Sequence, residues 1–131
     1  MPGYTAMVNE FTRACHDGLP ERPTLMTPEA IAFIRKMVND EMDELARARD
    51  VTEQADALVD AIYYLCDSAA RHGVNLDPLF GIVHAANMGK VVNGKVLKRA
   101  DGKVLKPAGW RDPAPLLIAE VERQRRDGAF S

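Results

Sequence analysis

Residues 54–70 read QADALVDAIYYLCDSAA, and this stretch decides the fold. Leu58, Val59, Ala61, Ile62, Leu65 and Ala69 make it apolar on most sides of a helix. Asp56, Asp60 and Asp67 interrupt that apolar surface. With Glu53 they recur at steps of three, four and seven residues, which places them on one stripe. A carboxylate withdrawn from water without a partner costs several kcal/mol or shifts its pKa until it is neutral. The stripe therefore needs something to face.

The segment before it, TPEAIAFIRKMVNDEMDELARARD (27–50), carries a helix start: Thr27 as N-cap, Pro28 at the first helical position and Glu29 in the first turn. Ile31, Ile34, Met37, Val38, Met42 and Leu45 keep helical spacing, and the helix is expected to run to about Asp50. A short break follows, with Thr52 as the expected cap of the next helix and Gly73 as its end. Upstream, YTAMVNEFTRACHDG reads as a first helix stopping at Gly18, then a linker with two prolines. Downstream, Asp77-Pro78 is expected to open a further helix and Asp112-Pro113 a final one. Between them, residues 91–110 carry Asn93-Gly94 and Asp101-Gly102 turn signals and the repeated GKVLK, which predicts an irregular segment or small β-hairpin. The expected architecture is all-α: one domain over 1–131, a bundle of four to five helices.

Composition narrows the function class. A formal net charge of -2 over 131 residues argues against a general nucleic-acid binder. No apolar run reaches the roughly 20 residues needed to span a bilayer, so no membrane partner is expected. Cys15 and Cys66 form no CxxC and no framework, and the N-terminus lacks a basic-then-apolar secretory pattern. A cytoplasmic protein with reduced thiols is expected.

The helix over 27–50 repeats the acidic device. Asp40, Glu41 and Glu44 cluster on one side, while Asp43 points away from the centre of that cluster. Two helices joined by a short break tend to pack antiparallel, which turns their acidic seams toward each other. Facing carboxylates repel at low effective dielectric, and a divalent cation between them removes the repulsion. Carboxylate-only ligation selects hard ions such as Mg²⁺ or Mn²⁺. The bland alternative is a solvated acidic face. A helix this apolar elsewhere, and an acidic stripe without the basic residues of a salt-bridge ladder, weigh against it, and the pattern by itself leaves both a metal site and a solvated face open.

NDEMDELARA and ADALVDAIYYL together resemble the all-α nucleoside triphosphate pyrophosphatases, the superfamily of MazG proteins, dimeric dUTPases and phosphoribosyl-ATP pyrophosphohydrolases. The signature of that superfamily is ExxE on one helix and ExxD on the next, holding Mg²⁺. EMDE supplies Glu41 and Glu44, and Asp40 stands where many members have a further Glu. GVNLDPLFGIVHAANMGKV followed by DGKVLKPAGW is similar to the phosphoribosyl-ATP-pyrophosphohydrolase-like branch. The resemblance spans roughly residues 27–113. One departure concerns ExxD. EQAD offers Glu53 and Asp56; alternatively Asp60 is the equivalent Asp, the expected Glu falls on Ala57, and Asp56 substitutes from one residue earlier.

The resemblance implies a nucleotide substrate cleaved between the α and β phosphates to a monophosphate and pyrophosphate. It implies Glu41, Glu44, Asp56 and Asp60 as metal ligands, with Glu41 or Glu44 also as general base. It places nucleotide- or phosphate-contacting groups at His84, Asn87 and Lys90, and a homodimer or homotetramer with composite sites. The apolar breadth of the helix over 52–73 independently calls for a partner subunit. The basic segment with Lys95, Lys98, Arg99, Lys103 and Lys106 is read as a lid, a subunit contact or a solvated loop, and Trp110 as its anchor to the bundle. His16-Asp17 finds no further ligands and is taken as chance. Two other readings remain: a helical interaction module that has lost catalysis, and a di-iron bundle, which lacks its Glu-x-x-His pair.

Overall fold

A computed structural model describes residues 3–130. Five helices follow one another: α1 (Tyr4–Cys15), α2 (Pro28–Arg47), α3 (Val51–Arg71), α4 (Leu76–Met88) and α5 (Ala114–Asp127). There is no strand among the described residues. Residues 91–110 form an irregular segment with two isolated antiparallel bridges, Val92 to Lys95 and Lys98 to Val104.

The helix starts follow capping chemistry, with two corrections to the expected positions. Thr27 caps α2 as expected, accepting the Ala30 N–H at 3.1 Å, with Pro28 opening the helix. The cap of α3 is Asp50, not Thr52: its Oδ1 accepts the Glu53 N–H at 2.8 Å. Consequently α2 ends at Arg47, short of Asp50. The cap of α4 is Asn75, not Asp77, and its side chain accepts the Asp77 N–H at 3.1 Å. Pro78 then sits within the first turn, where a missing N–H costs nothing. α1 closes at Cys15, three residues before Gly18.

α2 and α3 form an antiparallel hairpin. Ser68 near the end of α3 donates to Met26 Sδ just before α2, while Glu41 near the end of α2 feels the charges of Asp56 and Asp60 near the start of α3. The small side chains Ala57, Ala61 and Ala70 are buried on α3, which allows close helix approach. α1 crosses the C-terminal half of α3. The buried Thr12 hydroxyl donates to Asp67 at 2.7 Å, and the Phe11 and Tyr63 rings meet edge-to-face at 5.8 Å.

α4 and α5 form a second hairpin. It is fastened to the α3–α4 turn by the fully buried Gln124, which accepts the Asn75 N–H at 3.0 Å and donates to the Asn75 carbonyl at 2.9 Å. Gly73 makes that turn possible. Its φ is +73°, and a Cβ there would lie 2.2 Å from the Arg22 carbonyl oxygen, so no side chain fits. Among the described residues α2 packs against α3 and no other helix. Glu41 and Asp60 lie on the first hairpin and residues 89–113 follow α4; among the described helices α2 makes no contact with α4 or α5.

The buried apolar residues are few and mostly small: Val8, Ala57, Ala61, Cys66, Ala70 and Ala129. Four large aliphatic side chains of α3 point the other way. Leu58, Val59, Ile62 and Leu65 are all exposed, as are Phe80 on α4 and Leu116 and Ile118 on α5. No helix is long and apolar enough to cross a membrane.

Candidate active site

The acidic seam lies where the end of α2 meets the start of α3. Glu41 is buried, at 7 % exposure, and its Oε1 has no hydrogen-bond partner. Glu44 lies one turn on. From α3, Asp60 is half-buried and Asp56 is exposed. Burial pushes the Glu41 carboxyl up to about 7, and the approach and charge of Glu44, then the charges of Asp60 and Asp56, add to the shift. The four residues therefore share one electrostatic neighbourhood. Their carboxyl ends do not yet meet at a point: among the described residues no three His, Cys, Asp or Glu side chains converge as a ligand set.

The orphaned oxygen tests whether a cation fits this seam. A buried carboxylate oxygen needs a donor or a positive charge, and every group near Glu41 that perturbs it is another acid. A hard divalent ion satisfies that requirement with oxygen ligands alone.

Two acids expected near this cluster are committed elsewhere. Asp40 is exposed and paired with Lys36 at 3.1 Å, one turn back on α2. Glu53 accepts the Arg49 N–H at 2.8 Å and lies 3.4 Å from the Arg49 guanidinium, completing the start of α3. That engagement, and its absence from the groups acting on Glu41, leaves Asp56 and Asp60 as the α3 side of the seam. Asp67 lies outside it, in its bond to Thr12, with Arg71 3.8 Å away.

The Glu41 shift fixes the direction of a pH effect. The folded chain keeps a proton that the unfolded chain releases above its ordinary value of 4.5. This group's contribution to stability is fully present below 4.5 and is lost as pH rises through about 7. In the presence of a chelator, the thermal midpoint is expected to fall across that window. Glu41→Gln, which cannot ionise, should flatten the fall. A wild-type midpoint that rises between these pH values would contradict the assignment.

The remaining predicted site residues sit at the other hairpin's far end. His84 and Asn87 are exposed on the last turns of α4. Lys90 follows the helix and donates to Asn87 Oδ1 at 3.1 Å. Trp110 anchors the irregular segment, as its indole Nε1 donates to the Ala86 carbonyl at 2.7 Å. A concavity of about 620 Å³ lies beside it, lined by Gly81, Ala85, Gly89, Trp110, Pro113 and Leu116. It is mostly apolar and none of the four carboxylates lines it, so it is not the seat of their chemistry. Within one chain, then, the structure brings Glu41, Glu44, Asp56 and Asp60 together and brings Asn87 and Lys90 together. The first group lies on α2 and α3, the second at the end of α4, and α2 and α4 are not in contact.

A family model described as phosphoribosyl-ATP pyrophosphohydrolase matches residues 8–87. The matched region contains all four carboxylates, His84 and Asn87, and ends before Lys90. No curated protein sequence matches the chain.

Proposed function

We propose that this chain, which belongs to the phosphoribosyl-ATP pyrophosphohydrolase family within the MazG-like all-α nucleoside triphosphate pyrophosphatases, is a Mg²⁺-dependent nucleotide pyrophosphohydrolase. It would cleave a nucleoside triphosphate or a phosphoribosyl nucleotide between the α and β phosphates, releasing a monophosphate and pyrophosphate. The observation that carries this reading is the buried, unpartnered Glu41 Oε1 turned into a neighbourhood of three other acids. Glu41, Glu44, Asp56 and Asp60 would hold Mg²⁺, with Mn²⁺ as an alternative. A bound divalent ion would neutralise phosphate charge and lower the pKa of an attacking water.

The chain's own groups supply the rest. Buried Glu41 and half-buried Asp60 give the seam its dry floor, which strengthens every charge interaction above it. Exposed Glu44 is reachable by water and accepts the proton of the attacking molecule at its carboxylate. Asn87 offers both donor and acceptor to a base or sugar. Lys90 offers a mobile cation to phosphate oxygens. In-line attack at phosphorus needs positioning and charge more than covalent help.

The reading includes a homodimer or homotetramer. A folded monomer of 14.5 kDa is expected to expose roughly 6,900 Å². This chain exposes 9459 Å². An excess of about 2,600 Å² per chain, about 5,200 Å² over two chains, matches the large obligate subunit interfaces, and Leu58, Val59, Ile62 and Leu65 flank Asp60 along α3. Assembly would also bring the basic end of one chain to the carboxylates of another. Both cysteines are free thiols, which fits a cytoplasmic setting. The test is pyrophosphate release from a panel of nucleotides with and without Mg²⁺.

A further inference from the structure

The segment after α4 gathers positive charge around one aromatic ring. Residues 89–111 contain Lys90, Lys95, Lys98, Arg99, Lys103, Lys106 and Arg111 against a single acid, Asp101. That acid is taken by Arg99 at 2.6 Å. Lys106 Nζ lies 4.8 Å and Lys90 Nζ 5.4 Å from the centre of the Trp110 ring. The ring is held in place. Its Nε1 donates to the Ala86 carbonyl at 2.7 Å, and its edge lies against Gly89. Among the described residues neither lysine is in an ion pair, and Lys90 is steered by the neutral Asn87 amide.

Two ammonium groups drawn to one indole repel each other, and the ring's quadrupole offsets only part of that. Their proximity is most favourable when a multiply charged anion lies against both.

We propose that Lys90, Lys106 and the Trp110 ring that both approach form a polyphosphate-binding clamp, with Lys106 and Trp110 as binding residues for the pyrophosphate portion of the substrate and for the pyrophosphate product. The ligand class rests on the pyrophosphohydrolase reading, whereas the clamp itself rests on the geometry. Lys106 reaches the site from the irregular segment and Lys90 from the end of α4. Ligand binding therefore ties that segment to the helix.

Trp110 is the only tryptophan, so its emission reports on the clamp without any turnover. The probe is inorganic pyrophosphate, added to the full chain without Mg²⁺, with inorganic phosphate and a nucleoside monophosphate in parallel. A saturable change in emission with pyrophosphate is expected, tighter than with either other anion. Lys106→Ala should weaken it by about tenfold or more, as the loss of one charge-assisted bond implies. Lys103→Ala, in the same basic segment, should leave it within about twofold. No saturable change would overturn the clamp, as would equal weakening by Lys103→Ala, which marks diffuse charge. Nucleotide turnover with a silent Trp110 removes the clamp and keeps the enzyme. A titrating Trp110 without turnover removes the enzyme and keeps an anion site.

Discussion

Asp60→Asn is expected to lower Mg²⁺-dependent pyrophosphate release by about a thousandfold or more, while the metal-free protein becomes no less stable. The substitution keeps the shape of the side chain and removes one negative charge from the seam. A ligand worth about 4 kcal/mol of charge stabilisation in the transition state accounts for a loss of that size. The stability half of the result is the diagnostic part. Asp60 is one of the charges that hold the Glu41 proton in place, so its neutralisation relieves repulsion in the chelated protein. Activity and thermal midpoint should therefore move in opposite directions, or the midpoint should stay put. If both fall together, Asp60 is a folding residue and the metal has been assigned to the wrong aspartate.

Asp60→Asn chains mixed with Lys90→Ala chains are expected to regain activity that neither shows alone. In one chain, α3 is the only described helix that α2 touches, while Lys90 follows the end of α4. If the carboxylates of one subunit work with the lysine of another, each mixed dimer holds one intact site of its two. Random reassembly after co-refolding should then give about a quarter of the wild-type rate. Activity no higher than the sum of the separate variants would place the whole site within one chain. Sedimentation of the same sample must show an assembly of at least two chains, as the proposed composite site requires.

The parts of this fold that were legible in the sequence are those governed by local chemistry. Thr27-Pro28 announces a helix whatever surrounds it, and the spacing of Glu41, Glu44, Asp56 and Asp60 sets them on facing seams once the helices pair. Cap choice was less legible. Asn75 and Asp77 both carry a side-chain acceptor, and only the backbone decides which one meets a free N–H. Asp50 displaced Thr52 for the same reason. The role of Glu53 was hidden because an acid three residues after a cap serves the helix start as readily as a metal. Asp40 was claimed by Lys36, a pairing four residues apart that was readable in principle. The least legible feature was the buried side of α3. Its apolar residues predict burial all round, yet the intrachain contact runs along Ala57, Ala61 and Ala70, and the larger Leu58, Val59, Ile62 and Leu65 are left outward. In the proposed assembly a second chain covers them, which one chain's periodicity does not specify. The bond from Thr12 to Asp67 joins residues far apart in sequence and had no local signal.

The central claim is tested most directly by incubating the protein with canonical and modified nucleoside triphosphates and a phosphoribosyl nucleotide, with Mg²⁺ or with chelator, and measuring pyrophosphate. The account predicts release from at least one of these substrates that requires the metal and yields the matching monophosphate. No metal-dependent release from any of them would contradict it, leaving a helical module that keeps the fold of its family without the chemistry.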